Sequence, residues 1–302
     1  MLLIGLFYIF FPLVMIAMLL FKRQPNLLMW ILTVLVSGLS ILFIWTIARW
    51  EIISIYFRPI IPLLFVIAVY ISFKKIRKPT KPTSKASKII MIVINIFIIV
   101  FMGTMSFLAL RGYRTPANTV EISSPFKEGK QIVLHGGSRP MVNAHFHVNP
   151  QNYAVDIVGL NSFGMRANSI SGGNILTDYV IYDMPVYSPV NGKVMVVVDG
   201  LEDLIPPNTD AKNIAGNHVL IKFEEKELLL AHLKNGSIKV KVGDIVDTNT
   251  LIGNVGNTGN TSEPHLHLHI ETGGEPNTIL NGTSVPFKIN HQFLIRGDQL
   301  NE

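Results

Sequence analysis

Nine histidines and no cysteine occur in the 302 residues, and three of the histidines stand together in Pro264-His265-Leu266-His267-Leu268-His269. In a strand, alternate side chains share one face about 7 Å apart, so His265 and His267 reach one small site from a rigid backbone. One of them can bind a metal while the other meets the water. Two further segments offer the same chemistry: Tyr153-Ala154-Val155-Asp156, preceded by His145 and His147, and Ala231-His232-Leu233. A hydrolytic zinc site takes about three protein ligands and keeps one position open. His, Asp and His supply such a set, and two more histidines remain to manage a proton and an oxyanion without touching the metal. With no thiolate in the chain, a transition metal has only imidazole and carboxylate to hold it.

The elements that must position these residues read as strands. From Pro125 onward, short apolar or alternating runs cover Gln131–Leu134, Tyr153–Val158, Gly192–Val198, Asn217–Phe223, Glu227–Leu230, Leu251–Val255 and Pro264–Ile270. Breakers such as Ser188-Pro189, Asn191-Gly192, Asn235-Gly236 and Gly259-Asn260 separate them, and no helical period persists. The pattern predicts a compact, all-β and mainly antiparallel domain over 125–302. Residues 111–124 read as a linker, and Asn161–Asp183 as a long Gly/Asn/Ser-rich surface loop of the kind that often serves function.

The ordered residues resemble the lysostaphin-like or LytM-type zinc peptidases of peptidoglycan, the M23 metallopeptidases. The resemblance spans roughly Pro125 to Glu271. It rests on Val186-Tyr187-Ser188-Pro189-Val190-Asn191-Gly192-Lys193-Val194, Gly216-Asn217-His218-Val219, Ala231-His232-Leu233, and Gly253 to Asn260 running into Pro264-His265-Leu266-His267. It implies a lipoyl-like barrel or sandwich, a Zn2+ held by an upstream His, Asp156 and His267, and His232 and His265 as the catalytic pair. Many members place the first ligand four residues before the Asp, where this chain has Asn152, a poor zinc ligand. A variant branch resembles His-x-x-x-Gln-x-Tyr-Ala-x-Asp, which His147, Gln151, Tyr153, Ala154 and Asp156 match. His147 is therefore the expected first ligand, with His145 in reserve on the same face if that stretch is extended. His269 shares the strand face but is surplus to three ligands. His218 is expected as a satisfied structural histidine, and His135 and His291 as surface or loop residues.

The hydrophobic content of 49% is unevenly spread, with long uncharged runs confined to the first 110 residues. Residues 2–21, 27–47 and 89–110 each run about 20 residues without a charge, enough to span a hydrocarbon core of about 30 Å. A weaker fourth segment, 52–73, is interrupted by Arg58, Pro59 and Pro62. Lys74 to Lys88 holds seven basic residues and no acid, which places it in the cytoplasm and sends the last helix outward. Lys22 and Arg23 fall on the same side if all four segments cross. The first segment has no charge before Lys22, unlike a cleavable signal peptide. Residues 1–124 carry 13 Lys+Arg against 2 Asp+Glu, and residues 125–302 carry 13 against 18. The basic pI of about 9.4 thus belongs to the membrane part and argues against a nucleic-acid partner.

The expectation is a multi-pass protein of the bacterial cell membrane with an extracytoplasmic zinc endopeptidase that cleaves peptide bonds of peptidoglycan by a metal-activated water. Its partners are then wall peptides and the lipid bilayer; the sequence names no protein partner. The alternative is a catalytically inactive peptidase-like domain that binds the wall or regulates another hydrolase, for which Asn152 is the motive. A lipoyl-like carrier would suit Ser188-Pro189 and Val242-Gly243-Asp244, but it needs a modified Lys flanked by Met at a hairpin tip and leaves the histidines unexplained.

Overall fold

The computed structural model describes residues 2–76, 84–169 and 172–300, and the chain divides into two units, 1–111 and 112–302. Arg77, Lys78 and Lys81 of the expected basic connection, and Ile170 and Ser171 of the expected long loop, lie outside the described residues.

The N-terminal unit holds helices α1 (Leu2–Phe21), α2 (Leu27–Ile47), α3 (Phe57–Phe73) and α4 (Lys85–Leu110). Asn26 and Ser84 start α2 and α4 by accepting the Met29 and Ser87 N–H groups, which have no helical partner in a first turn. Three helices are long and apolar enough to cross a membrane; α3 is a shorter apolar helix of 17 residues. It begins at Phe57 rather than at 52, because Trp50–Ile52 forms a separate 3-10 turn. Pro59 is tolerated in the first turn of α3, whereas Pro62 lacks the N–H that would bond Arg58 four residues back. The freed Arg58 carbonyl accepts the Trp45 indole N–H at 3.0 Å instead.

The C-terminal unit contains β1 (Val120–Ile122), β2 (Lys130–His135), β3 (Val155–Leu160), β4 (Pro185–Tyr187), β5 (Gly192–Val198), β6 (Asn217–Phe223), β7 (Lys226–Leu233), β8 (Ile245–Val246), β9 (Leu251–Asn254), β10 (Leu266–Thr272), β11 (Thr283–Val285) and β12 (Phe287–Ile289). An antiparallel sheet runs in the order β2-β3-β10-β7-β6-β5-β8, with β11 beside the far end of β10. Two pairs flank it, β4 with β9 antiparallel and β1 with β12 parallel. The seven expected strands are present within two or three residues of their expected ends. Strand β1 lies inside 111–124, so part of the stretch read as a linker is built into the unit.

Alternation explains which face holds the core. Leu266, Leu268 and Ile270 of β10, Leu228 and Leu230 of β7, and Val155 and Ile157 of β3 are buried in one apolar cluster. Their odd-numbered or even-numbered neighbours, His267, His269 and Asp156 among them, stand on the opposite face of the same central strands.

Candidate metal centre and active site

Asp156 on β3 and His267 on β10 are directly opposed in register, so their side chains share a face and meet: His267 Nδ1 lies 2.8 Å from Asp156 Oδ1. The third group comes from outside the sheet. Residues Ala144–His147 form a 3-10 turn, and from it His145 Nε2 reaches Asp156 Oδ2 at 2.8 Å. Asn143 fixes that turn. Its Oδ1 accepts the His145 N–H, while its Nδ2 donates to the carbonyls of Gly137, Asn152 and Ala154, the last two residues before Val155 and Asp156 apart from Tyr153.

His145, Asp156 and His267 each offer one ligand atom, all within 4.8 Å of one another. His147 does not join them, which corrects the expected ligand set. The expectation rested on the spacing of His147 to Gln151, Tyr153, Ala154 and Asp156, with His145 on the same face only if the stretch were extended; in a turn with three residues per revolution, residues two apart point about 120° apart. His147 is exposed and packs its ring on Phe146. Asn152 is also outside the cluster, its Nδ2 donating to the Phe146 carbonyl at 2.5 Å. The Gln151 side chain acts on His145, helping to raise its pKa, so the Gln of the motif serves the other histidine.

His232 reaches the same face by a backbone irregularity. Ala231 is opposite His267 in register, so strict alternation would send His232 to the far side. His232 instead has φ +63°, a left-handed conformation that costs a non-glycine residue about 1–2 kcal/mol. Three hydrogen bonds hold it there: its N–H to Ala215 O at 3.0 Å, its carbonyl from Gly256 N–H at 3.0 Å, and Nδ1–H to Thr258 O at 2.8 Å. Thr258 can approach because Gly216 lies against it; a Cβ at Gly216, itself at φ +58°, would strike the Thr258 carbonyl. The His232 ring centre then stands 4.8 Å from that of His265 and 5.8 Å from that of His267.

His265 precedes β10 and donates Nδ1–H to the Glu263 carbonyl at 2.8 Å, with Thr261 Oγ1 3.1 Å away. Both His232 and His265 therefore commit Nδ1 to a backbone carbonyl and leave Nε2 for the cluster; that of His265 lies 3.6 Å from Asp156 Oδ1. The Glu263 side chain is paired with buried Arg166 at 2.6 Å, tying this loop to the 161–183 segment. Asn143, Arg166 and Glu263 carry no spacing signal; each acts through a carbonyl or a second side chain, which only the fold reveals.

Burial and mutual proximity set the charges. Burial would raise Asp156, but the neighbouring His145 and His265 hold its carboxyl well below 3.8. Burial lowers His145, and Asp156 with its hydrogen bond more than reverses this, leaving it above 6.5. His267 is pushed down to about 3, chiefly by burial, and His232 is driven well below 6.5 by burial and by the adjacent His265 and His267. The His232 and His267 rings are thus neutral and keep a free lone pair at neutral pH.

A cavity of about 290 Å³ opens on this cluster, bounded by His145, Gln151, His232 and His267 on one side and by apolar residues including Ile214 and Leu280 on the other. A second cavity of about 330 Å³ shares Ile214, Ala215 and Leu280 with it and is lined by His218, whose Nδ1–H is satisfied by Gly216 O. His135, at the end of β2, accepts Arg296 Nη2–H and packs against the His145 ring at 5.9 Å, so it supports the site from behind. His291 is almost fully exposed.

The sheet thus carries on one face a group of histidine and carboxylate side chains that could hold a metal ion. Residues 178–279 match the family model of Peptidase family M23, so the chain carries an M23 peptidase domain C-terminal to its apolar helices. That match includes His232, His265 and His267; His145 and Asp156 precede it. The chain is similar to a zinc-containing peptidase from Vibrio cholerae, at 22% identity and TM-score 0.31, over 49% of this chain and 35% of that one. It is also similar to a variant catalytic domain of the prophage-encoded M23 protein EnpA from Enterococcus faecalis, at 21% identity, TM-score 0.33 and 54% and 92% coverage. The catalytic domain of lysostaphin from Staphylococcus simulans matches at 19% identity, TM-score 0.28 and 52% and 88% coverage. The chain thus spans about a third of the length of the Vibrio cholerae protein. No curated protein matches the sequence.

Proposed function

We propose that this protein is a membrane-anchored zinc endopeptidase that cleaves peptide bonds of peptidoglycan. The observation that carries the reading is the convergence of His145, Asp156 and His267 donor atoms within 4.8 Å, beside the His232 and His265 rings, whose centres are 4.8 Å apart. The donors fit zinc: two imidazole nitrogens and one carboxylate, with His267 neutral and Asp156 ionised as ligands must be. With His145 beside Asp156, the set does not depend on position 152, which favours the enzyme over the inactive wall-binding or regulatory domain. The finer fold reading, a lipoyl-like barrel or sandwich, belongs to the same proposal.

Zinc, when bound, lowers the pKa of water and polarises a carbonyl. The remaining work falls to this chain's own groups. His232 is neutral and presents a bare Nε2, so it begins as an acceptor, and whichever of His232 and His265 takes the proton of the attacking water becomes the donor for the oxyanion and the leaving nitrogen. The Thr258 and Glu263 carbonyls hold the rings in that tautomer. The apolar wall of Ile214, Leu229 and Leu280 orients an extended peptide across the cluster.

The test is the full-length chain in detergent with purified cell walls, followed by mass analysis of soluble products. The expected result is peptide-bond cleavage that a chelator stops and added zinc restores. Cleavage that resists chelation contradicts zinc chemistry, and zinc-loaded protein that releases nothing points to the binding domain.

A further inference from the structure

His269 stands one alternation beyond His267 on the same face of β10 and is fully buried. His267 Nε2 and His269 Nδ1 are 3.0 Å apart, and His269 Nε2 faces Glu271 Oε1 at 3.8 Å with no hydrogen-bond partner among the described residues. Glu271 is also fully buried and accepts three backbone N–H groups, from Leu280 on Oε1 and from Asn281 and Gly282 on Oε2. A line therefore runs from Asp156 through His267 and His269 to Glu271, with a carboxylate at each end and two imidazoles between.

With one N–H on each ring, two protons serve three gaps. Within the 3.0 Å gap one ring must donate and the other accept, so both protons point the same way along the line. If they point toward Asp156, the bare His269 Nε2 lone pair faces the Glu271 carboxylate, which is repulsive and leaves a buried acceptor against a buried anion. If they point toward Glu271, both rings carry Nε2–H, His269 Nε2–H faces the carboxylate, and His267 Nδ1 turns a bare lone pair to Asp156 Oδ1 at 2.8 Å, an arrangement that a cation shared by the two donors makes favourable.

We propose that His269 and Glu271 are positioning residues that hold the His267 imidazole in its Nε2–H tautomer and so present Nδ1 to the metal. This rests on the zinc reading above. A carboxylate behind a ligating histidine is a general device for fixing ring orientation and basicity; here a second imidazole is inserted between them. Because Glu271 also binds the 280–282 backbone, the same carboxylate ties the ligand to Leu280 in the cavity wall.

The experiment uses the full chain in detergent with ¹⁵N-labelled histidine, reading imidazole nitrogen shifts with zinc, together with zinc affinity by competition against a chelating dye. His267 and His269 are expected to be protonated at Nε2, with the metal shift on His267 Nδ1. His269→Phe, which keeps a ring but loses the acceptor, is expected to weaken zinc binding about 10- to 100-fold. His269→Asn, whose Oδ1 replaces Nδ1, recovers most of it, and Glu271→Gln falls between. Zinc on His267 Nε2, or unchanged affinity in His269→Phe, overturns the proposal. If circular dichroism shows His269→Phe unfolded, the wild-type shifts and Glu271→Gln decide. A wild-type chain that takes up no zinc removes this proposal and the peptidase reading together. Zinc bound with the expected tautomers but no wall cleavage removes only the peptidase reading.

Discussion

His145 and Asp156 illustrate how one pair of groups serves two states of the protein. Without metal, the raised His145 pKa contributes stability that is complete below about pH 6.5 and is lost as pH rises through the raised value. The lowered Asp156 pKa contributes stability present above about pH 3.8 and lost as pH falls through its depressed value. The metal-free C-terminal unit is therefore expected to lose thermal midpoint as pH climbs above about 6.5 through the raised His145 value, on the part set by this pair. Zinc competes with the His145 proton, so its stabilisation grows over the same interval. Thermal unfolding with and without zinc across that range checks both signs; a metal-free midpoint that rises as steeply as the zinc-loaded one would show that the pair is not formed. At the same scale, His232→Ala and His265→Ala are expected to keep zinc while losing turnover by about 10²–10⁴-fold, the range for removal of a general acid or base. Loss of metal in either would make that residue a ligand.

Elements decide where these residues point, and here the sequence was informative unevenly. The seven longer strands were legible because alternation over four or more residues has a period to detect. Strands β1, β4, β8, β11 and β12, of two or three residues, have none. Asp156, His265 and His267 were legible because they sit in or beside regular strands. His145 was not separable from His147 because the distinction lies in a 3-10 turn, and His232 reaches the site through a positive φ that no alternation rule contains. Two substitutions test these devices. Asn143→Ala removes the acceptor for His145 N–H and the donor to three carbonyls, and is expected to destabilise the unit by about 1–3 kcal/mol and to weaken zinc binding. Gly216→Ala should lower activity with little change in zinc content, because it displaces Thr258 from His232 and leaves the ligands untouched. Denaturant unfolding and zinc titration of both variants distinguish the turn from the bulge; equal zinc loss in both would mean that the two devices are not separate.

For the whole molecule, the expected orientation rests on the seven basic residues and no acid from Lys74 to Lys88. Protease added to intact, wall-stripped cells is expected to digest residues 125–302; protection until lysis would place this unit in the cytoplasm. The account as a whole stands on one zinc held by donors from a turn, β3 and β10, selected by the fold rather than by motif spacing. Zinc per chain, measured on full-length wild type, His145→Ala, His147→Ala and Asn152→Ala purified side by side, tests that most directly. The expected result is about one zinc in wild type, His147→Ala and Asn152→Ala, and almost none in His145→Ala. Full zinc in His145→Ala, or loss of zinc in His147→Ala, would contradict it.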